Sequence, residues 1–567
     1  MIASAAGFQV ISVVLFYRLL RDRYQVHWLP ACSATLLLAA WEPIRFQVFV
    51  AMEAPLLLCL FVTSLYLISS PPTAKASRLT GALAAGLLPL VRPDGFFLTV
   101  LLVILYLATQ DRGRIADELG QHTTALVCFL APLILLTLGR IMYFGDALPN
   151  TYYLKVVDRP GRVYYGLAYV SRFLKSFYGT LLLVPLFVFA IVQRTAISLV
   201  AAAGVVGILG YVAYQGGDFE DWWRFMVPLL PLFLLLFALL ATKCLLTPFL
   251  SIVGVVLCLV VVVVGVKTEY ERVTTGSLFV KPPPQMVNNI RLGLALRAVC
   301  SSQALTADFW AGATPYFSGL RSIDMLGRSD RVIARRPAYK PRGVPGHDKF
   351  DSAYVLRRAP DVIVSTHPLR VSRADLEATK HSDFPFGADL LEKLEVEPAY
   401  TPVESVLSES WHGIYARGGS GACDWERLPA IERKLGLVCW AAFSDGWHGV
   451  EREGTRWWRW NNGKGTVRIV SNVSERVRLR GWLLAASPPN RADIFVNDLR
   501  ASPDDGIALD DTPVALDVPL TPGQNTVEIA GRKPPGRVKG DDRILGIGVR
   551  NLEVTLENGT PACVGLQ

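Results

Sequence analysis

Across 567 residues the sequence holds no compact basic stripe, no glycine-rich phosphate loop and no cysteine pair at metal-type spacing. Each absence excludes a class. The formal net charge is +9, but the Lys and Arg residues are scattered, so nucleic acid is not expected as a partner. Without a glycine-rich turn between strand and helix, a nucleotide-linked donor has no cradle. Nine cysteines without short spacing exclude a zinc site of the usual kind. No internal repeat or low-complexity tract stands out, which argues against a transporter built from inverted halves.

What is present is apolar surface. Hydrophobic residues make up 51% of the chain and mean hydropathy is +0.35, too apolar for an ordinary soluble protein. The excess is confined to the first half. Apolar stretches at about 2–20, 28–44, 50–69, 80–91, 95–109, 122–143, 180–193, 195–214, 225–242 and 246–266 predict roughly ten membrane segments. Arg92-Pro93-Asp94-Gly95 interrupts one region and predicts a broken helix or a re-entrant hairpin. Three regions follow: a multi-helix membrane domain over 1–267, a small α/β domain over 268–430 and a β-sandwich over 431–567. Pro282-Pro283-Pro284 reads as a stiff linker.

Basic residues in the short loops at Arg18 to Arg23, Lys75 to Arg78, Arg112 to Arg114, Arg194 and Lys243 set these loops on the cytoplasmic side. Alternation then makes the informative polar loops, and everything after residue 267, extracytoplasmic. A membrane crossed several times, with the C-terminal domains extracytoplasmic, is the expected location.

Those polar loops carry the candidate chemistry. Gly145 to Lys155 follows an apolar run with a carboxylate at Asp146, a cation at Lys155 and interfacial tyrosines at Tyr152 and Tyr153. Arg92 and Asp94 lie within an apolar region, where a charge costs about 2.5–3.5 kcal/mol at the bilayer centre. Asp218, Glu220, Asp221 and Arg224 form an acidic cluster with one cation, flanked by Trp222 and Trp223. Asp218 is its candidate metal or sugar-hydroxyl ligand, with a divalent cation as an optional cofactor, and Arg224 a candidate phosphate contact. Glu42 and Glu53 also face outward or lie just inside a helix; Glu53, inside an apolar run, is the more suggestive of function, with pairing to Arg45 as the alternative. His347 stands in a turn that reads as entering a helix.

The polar half reads differently. Short apolar runs at Ala304 to Phe309 and Asp361 to Val364 with a helix at Ser352 to Arg358 predict α/β structure. From about residue 431, period-two strands between turn residues predict a jelly-roll-like sandwich. Trp440, Trp447, Trp457, Trp458, Trp460 and Trp482 either fill its core or present indoles to a sugar. Cys423 and Cys439 are a candidate disulfide, although spacing leaves the connectivity open.

Three motifs in one order carry a resemblance: Arg92-Pro93-Asp94-Gly95, Gly145-Asp146-Ala147-Leu148-Pro149-Asn150-Thr151-Tyr152-Tyr153, and Gly216-Gly217-Asp218 with Arg224-Phe225-Met226-Val227-Pro228. With Ala311 to Leu320, Ile323 to Gly327 and Pro345 to Lys349 they resemble bacterial polytopic glycosyltransferases related to the terminal arabinofuranosyltransferase of the mycobacterial cell wall. The resemblance implies a GT-C-like membrane fold, a polyprenyl-phosphate-linked sugar as donor and a cell-envelope glycan as acceptor. It implies a catalytic carboxylate in the first outer loop. This chain is expected to begin after that loop, which leaves Asp94, Asp146 and Asp218 as catalytic candidates. Arg92, Lys155 and Arg224 are then the donor-phosphate contacts, and Asn150, Tyr152, Tyr153, His347, Trp457 and Trp458 the sugar or acceptor contacts. The alternative is a non-catalytic, membrane-anchored carbohydrate-binding protein.

Overall fold

The computed structural model describes residues 2–110, 119–159, 161–218, 222–275, 284–339, 346–365, 386–410, 413–449, 451–453, 456–486, 490–537, 541–555 and 563–564. Glu220 and Asp221 of the acidic cluster, and Pro282 and Pro283 of the linker, lie outside them. The chain divides into two units. One comprises Met1–Pro282 with Pro337–His347, the other Pro283–Arg336 with Asp348–Gln567.

The first unit is helical. Among the described residues four helices are long and apolar enough to cross a membrane: Ile2–Arg23, Gly120–Phe144, Ala196–Gln215 and Pro248–Thr268. A fifth crossing is available if Arg162–Ser176 and Thr180–Gln193, bent by 97° at their junction, count as one span. Trp28–Ala40, Ala54–Ile68, Gly95–Ala108 and Leu229–Leu245 are apolar but shorter than the ~20 residues a full crossing takes. Each expected apolar stretch is helical, but fewer helices than the expected ten reach spanning length. Leu229–Leu245 runs through the centre, with every residue from Leu229 to Ala238 buried.

The break at residues 92–94 is local chemistry. Pro93 lacks an amide donor and disfavours helical backbone before it, so the helix Leu88–Val91 stops and a new one begins at Gly95. A Cβ on Gly95 would stand 2.3 Å from the Leu88 carbonyl oxygen, so only glycine permits so close a return.

The second unit has two layers of different kinds. Its α/β part holds β1 (Leu305–Asp308), β2 (Arg321–Asp324), β3 (Val362–Val364), β4 (Tyr400–Pro402) and β5 (Ile414–Arg417) in the order β2-β1-β3-β5-β4. The first three are parallel, as crossover helices require, and β5 and β4 add antiparallel.

The sandwich comprises β6 (Cys439–Phe443), β7 (Glu451–Glu453), β8 (Arg456–Trp460), β9 (Lys464–Ser471), β10 (Glu475–Ala485), β11 (Arg491–Val496), β12 (Leu499–Arg500), β13 (Ile507–Ala508), β14 (Thr512–Leu520), β15 (Gly523–Gly531), β16 (Gly536–Arg537), β17 (Ile544–Leu545), β18 (Ile547–Thr555) and β19 (Cys563–Val564). One sheet runs β14-β10-β18-β8-β7 and the other β12-β11-β15-β9-β6-β19. From β8 onward the main strands pass from sheet to sheet: β8, β10, β14 and β18 lie in one, β9, β11, β12 and β15 in the other. That is jelly-roll order, two interleaved Greek keys, extended at the edges by β7 and by β6 with β19.

An apolar cluster crosses the expected boundary at residue 431. Trp440 and Val470 of the sandwich join Leu292, Leu296, Val362, Ile414 and Leu428 of the α/β part in one apolar cluster. At that seam the buried Glu432 accepts from the Leu407 amide at 2.8 Å and from the Asn472 side chain at 3.2 Å. Burial pushes its carboxyl up, with the bonds to Leu407 and Asn472 opposing.

The disulfides are Cys300–Cys423 and Cys439–Cys563, so the expected Cys423 to Cys439 pairing is corrected. Cys439 lies beside Cys563 because β6 and β19 pair in parallel there. Cys32, Cys59, Cys128, Cys244 and Cys258 of the helical unit are free.

Candidate ion-pair site at the helix breaks

Charged residues from three polar breaks meet around the ring of Phe225, which lies in the turn Arg224–Met226 that precedes the central helix. The Arg92 guanidinium carbon stands 4.7 Å from the ring centroid, that of Arg224 5.2 Å and the Lys155 ammonium 5.3 Å. Each distance lies within cation–π range. Three like charges so close repel one another, and carboxylates distribute among them. Asp218 takes Arg224 through both oxygens, at 2.5 and 2.9 Å, with Lys155 3.9 Å away. Asp94 accepts from Arg92 Nε at 3.0 Å. Glu53, at the cap of Ala54–Ile68, stands 3.8 Å from Arg92, so its partner is Arg92 rather than Arg45.

Arg92 also donates to the Arg224 carbonyl at 3.3 Å. The turn that presents Arg224 begins at Trp223, whose φ of 51° lies in the left-handed region that a bulky residue rarely adopts. Such a conformation costs of order 1–3 kcal/mol and persists where packing fixes it. Here Trp223 is buried, with the Tyr169 ring 5.0 Å and the Phe173 ring 5.5 Å away.

Asp146 precedes the short helix Asn150–Lys155, which carries Lys155 at its end. Its Oδ1 accepts from the Tyr153 hydroxyl at 2.9 Å and from the Leu148 amide at 3.2 Å. Tyr152 meets Tyr153 edge-on at 5.8 Å and is partly exposed, and Asn150 opens the helix. Gly346, in the segment 337–347 that packs with the helical unit, has φ of +81°, and a Cβ on it would lie 3.5 Å from Lys155 Cε. The neighbouring His347 is buried, so the turn expected from its motif stands beside the lysine.

Asp218 faces two cations, and among the described residues no group of three or more His, Cys, Asp or Glu side chains could hold a metal ion. The sandwich tryptophans separate. Trp457 is 8% exposed and belongs to the core, so it does not present a face to a sugar, whereas Trp458 is half-buried and donates to Glu451 at 3.1 Å. A groove of about 420 Å³ lined by Leu167, Val170, Ser171, Leu174, Lys175 and Thr180 includes none of the ion-pair residues.

Sequence reasoning missed Phe225 as the shared ring, although it adjoins Arg224 in the quoted motif. It also missed Arg159, which is buried and donates to the Lys155 carbonyl at 3.5 Å.

Fold and site together define a multi-pass helical membrane protein with charged groups grouped at the breaks between apolar helices, joined to an α/β domain and a jelly-roll. Residues 284–420 match a family described as a domain of unknown function (DUF8728). No curated protein matches the chain. Among solved structures it is similar to ArnT from Cupriavidus metallidurans in the apo state, at 13% identity and a TM-score of 0.44 over 75% of this chain and 84% of that one. It is also similar to the archaeal oligosaccharyltransferase AglB from Archaeoglobus fulgidus, at 11% identity and 0.39, over 99% and 86% respectively. For the mycobacterial arabinofuranosyltransferase AftD the values are 12% and 0.38, covering 97% of this chain but 52% of that one, so the chain spans about half of AftD.

Proposed function

We propose that the chain is a membrane glycosyltransferase that moves a sugar from a polyprenyl-phosphate donor to a cell-envelope glycan on the outer face of the membrane. The observation that carries this reading is the gathering of Arg92, Lys155 and Arg224 around Phe225, between apolar helices. Such a group suits a lipid phosphate, because the cations stabilise the charge that develops as the phosphate departs. Two disulfides in the polar half, and free thiols only in apolar helices, support an oxidising location for that half. The solved structures named above include an arabinofuranosyltransferase and an oligosaccharyltransferase with a bound dolichol-phosphate; the reading rests on the ion-pair site and not on that likeness.

In the proposed reaction the bond between the anomeric carbon and the phosphate oxygen breaks, and one to the acceptor oxygen forms. The acceptor proton goes to a carboxylate and the polyprenyl phosphate leaves. Asp94, Asp146 and Asp218 are the candidate bases, and Asp146, whose Oδ1 accepts from the Tyr153 hydroxyl, is the first to be tested.

The test is transfer by the purified chain in lipid nanodiscs, supplied with polyprenyl-phosphoryl pentoses and hexoses and envelope glycan. Asp146→Asn should lower kcat with little change in donor KM, and Arg224→Lys should raise donor KM. Absence of transfer from every phosphoprenyl donor would overturn the proposal.

A further inference from the structure

The outer face of the β14-β10-β18-β8-β7 sheet carries one complete row of paired residues: Pro513, Trp482, Arg550, Trp458 and Glu451, one from each strand. Their direction follows from alternation. Val477, Leu479 and Leu483 of β10 and Trp457 of β8 enter the core, so Trp482 and Trp458 lie on the opposite face. The two indoles are two strand widths apart, about 10 Å.

Between them the Arg550 guanidinium carbon lies 5.1 Å from the Trp482 ring centroid, and Asp511 holds the guanidinium at 2.7 Å. Trp458 is anchored at its indole nitrogen by Glu451, which pairs with Arg543 at 2.8 Å. In the adjacent row Trp460 faces Gly548. A Cβ there would come within 2.9 Å of the Trp460 ring, so the glycine lets that ring lie across the strand. Trp482 is 38% exposed, an unusual cost for an indole on a sheet surface.

We propose that this row is a binding face for a neutral glycan. Indole faces match the C–H face of a sugar ring, and the charged groups at their edges match its hydroxyls. At the edges of the indoles Arg550 pairs with Asp511 and Arg543 with Glu451, so no group of cations converges there as Arg92, Lys155 and Arg224 do around Phe225, and a neutral ligand fits. The choice of a glycan rests on the sugar-handling reading above, but the site shares no residue with the ion-pair site.

The test is calorimetric titration of the full chain in detergent with cellohexaose, mannohexaose, xylohexaose and arabinohexaose, and separately with glycerophosphoglycerol as an anionic headgroup. At least one hexaose should bind. Trp482→Ala should weaken it about tenfold, while Trp482→Phe retains most of the affinity. Glycerophosphoglycerol should not bind. Failure of all four hexaoses, equal affinity in Trp482→Ala, or headgroup binding lost in that variant would each overturn the inference. Hexaose binding that depends on Trp482, without transfer from any phosphoprenyl donor, supports this face and defeats the transferase reading; transfer without such binding does the reverse.

Discussion

Arg92 donates from its side chain to the backbone carbonyl of Arg224, 132 residues further along the chain, at 3.3 Å. One cation therefore fixes the turn that presents another. The bond joins the break before Gly95–Ala108 to the turn before Leu229–Leu245, and the ring of Phe225 fills the space between the two guanidinium groups.

The Asp218–Arg224 pair should behave as a coupled unit. The Asp218 side chain is 7% exposed and holds Arg224 through both oxygens, with Lys155 at 3.9 Å. Arg224→Ala is expected to destabilise the helical unit by up to about 3 kcal/mol. The double variant with Asp218→Ala should lose less than the sum of the two single variants. Thermal unfolding in detergent measures the cycle, and additive losses would dissolve the coupling.

Reduction should act on the second unit alone. Cys300–Cys423 and Cys439–Cys563 span 123 and 124 residues, so each restricts the unfolded chain by about 5 kcal/mol in the loop-closure account. Non-reducing peptide mapping should recover these two linkages, and a Cys423–Cys439 peptide would contradict the fold.

Stability of the seam should depend on pH through Glu432. Its folded pKa is raised above the ordinary 4.5, chiefly by burial, so the unfolded chain releases this proton at lower pH than the folded one. The contribution is complete below about pH 4.5 and is lost as pH rises through the folded value. The buried Asp308, which accepts from Thr306 at 2.5 Å and Ser322 at 2.6 Å, is raised for the same first reason and acts in the same direction. Glu432→Gln keeps an acceptor for the Leu407 amide, and should flatten the pH profile of unfolding without abolishing the fold. An unchanged profile would remove Glu432 from the account.

A fragment of residues 431–567 should be protease-sensitive, while one beginning at residue 284 should be more resistant. The shorter piece strips Leu292, Leu296, Val362 and Leu428 from Trp440 and Val470. Equal resistance of the two would show that the shared cluster is dispensable.

Much of this was legible in the sequence, for stated reasons. Apolar runs gave the helices, and Pro93 with Gly95 gave the break, because both act on the backbone locally. Period-two strands gave the sandwich. The helix Arg162–Ser176 was not legible, because its charges and tyrosines obscure the apolar side that buries Tyr169 and Phe173. Trp457 was misassigned because Trp457, Trp458 and Trp460 supply indoles to both faces of one strand, so composition conceals the alternation. The cysteine pairing depends on β19 returning beside β6, which no spacing rule contains. At the ion-pair site the participating residues were legible but their partners were not. That Glu53 meets Arg92 is a property of helix packing across the unit.

The segment Pro337–His347 packs with the helical unit although the residues before and after it, through Arg336 and from Asp348, belong to the other. The polypeptide thus changes unit three times, and neither body is a contiguous length of sequence. A single recombination junction near residue 283 would hand a new partner the polar half while stripping the helical half of the glycine beside Lys155. An exchange that keeps both units intact therefore needs three matched joints instead of one.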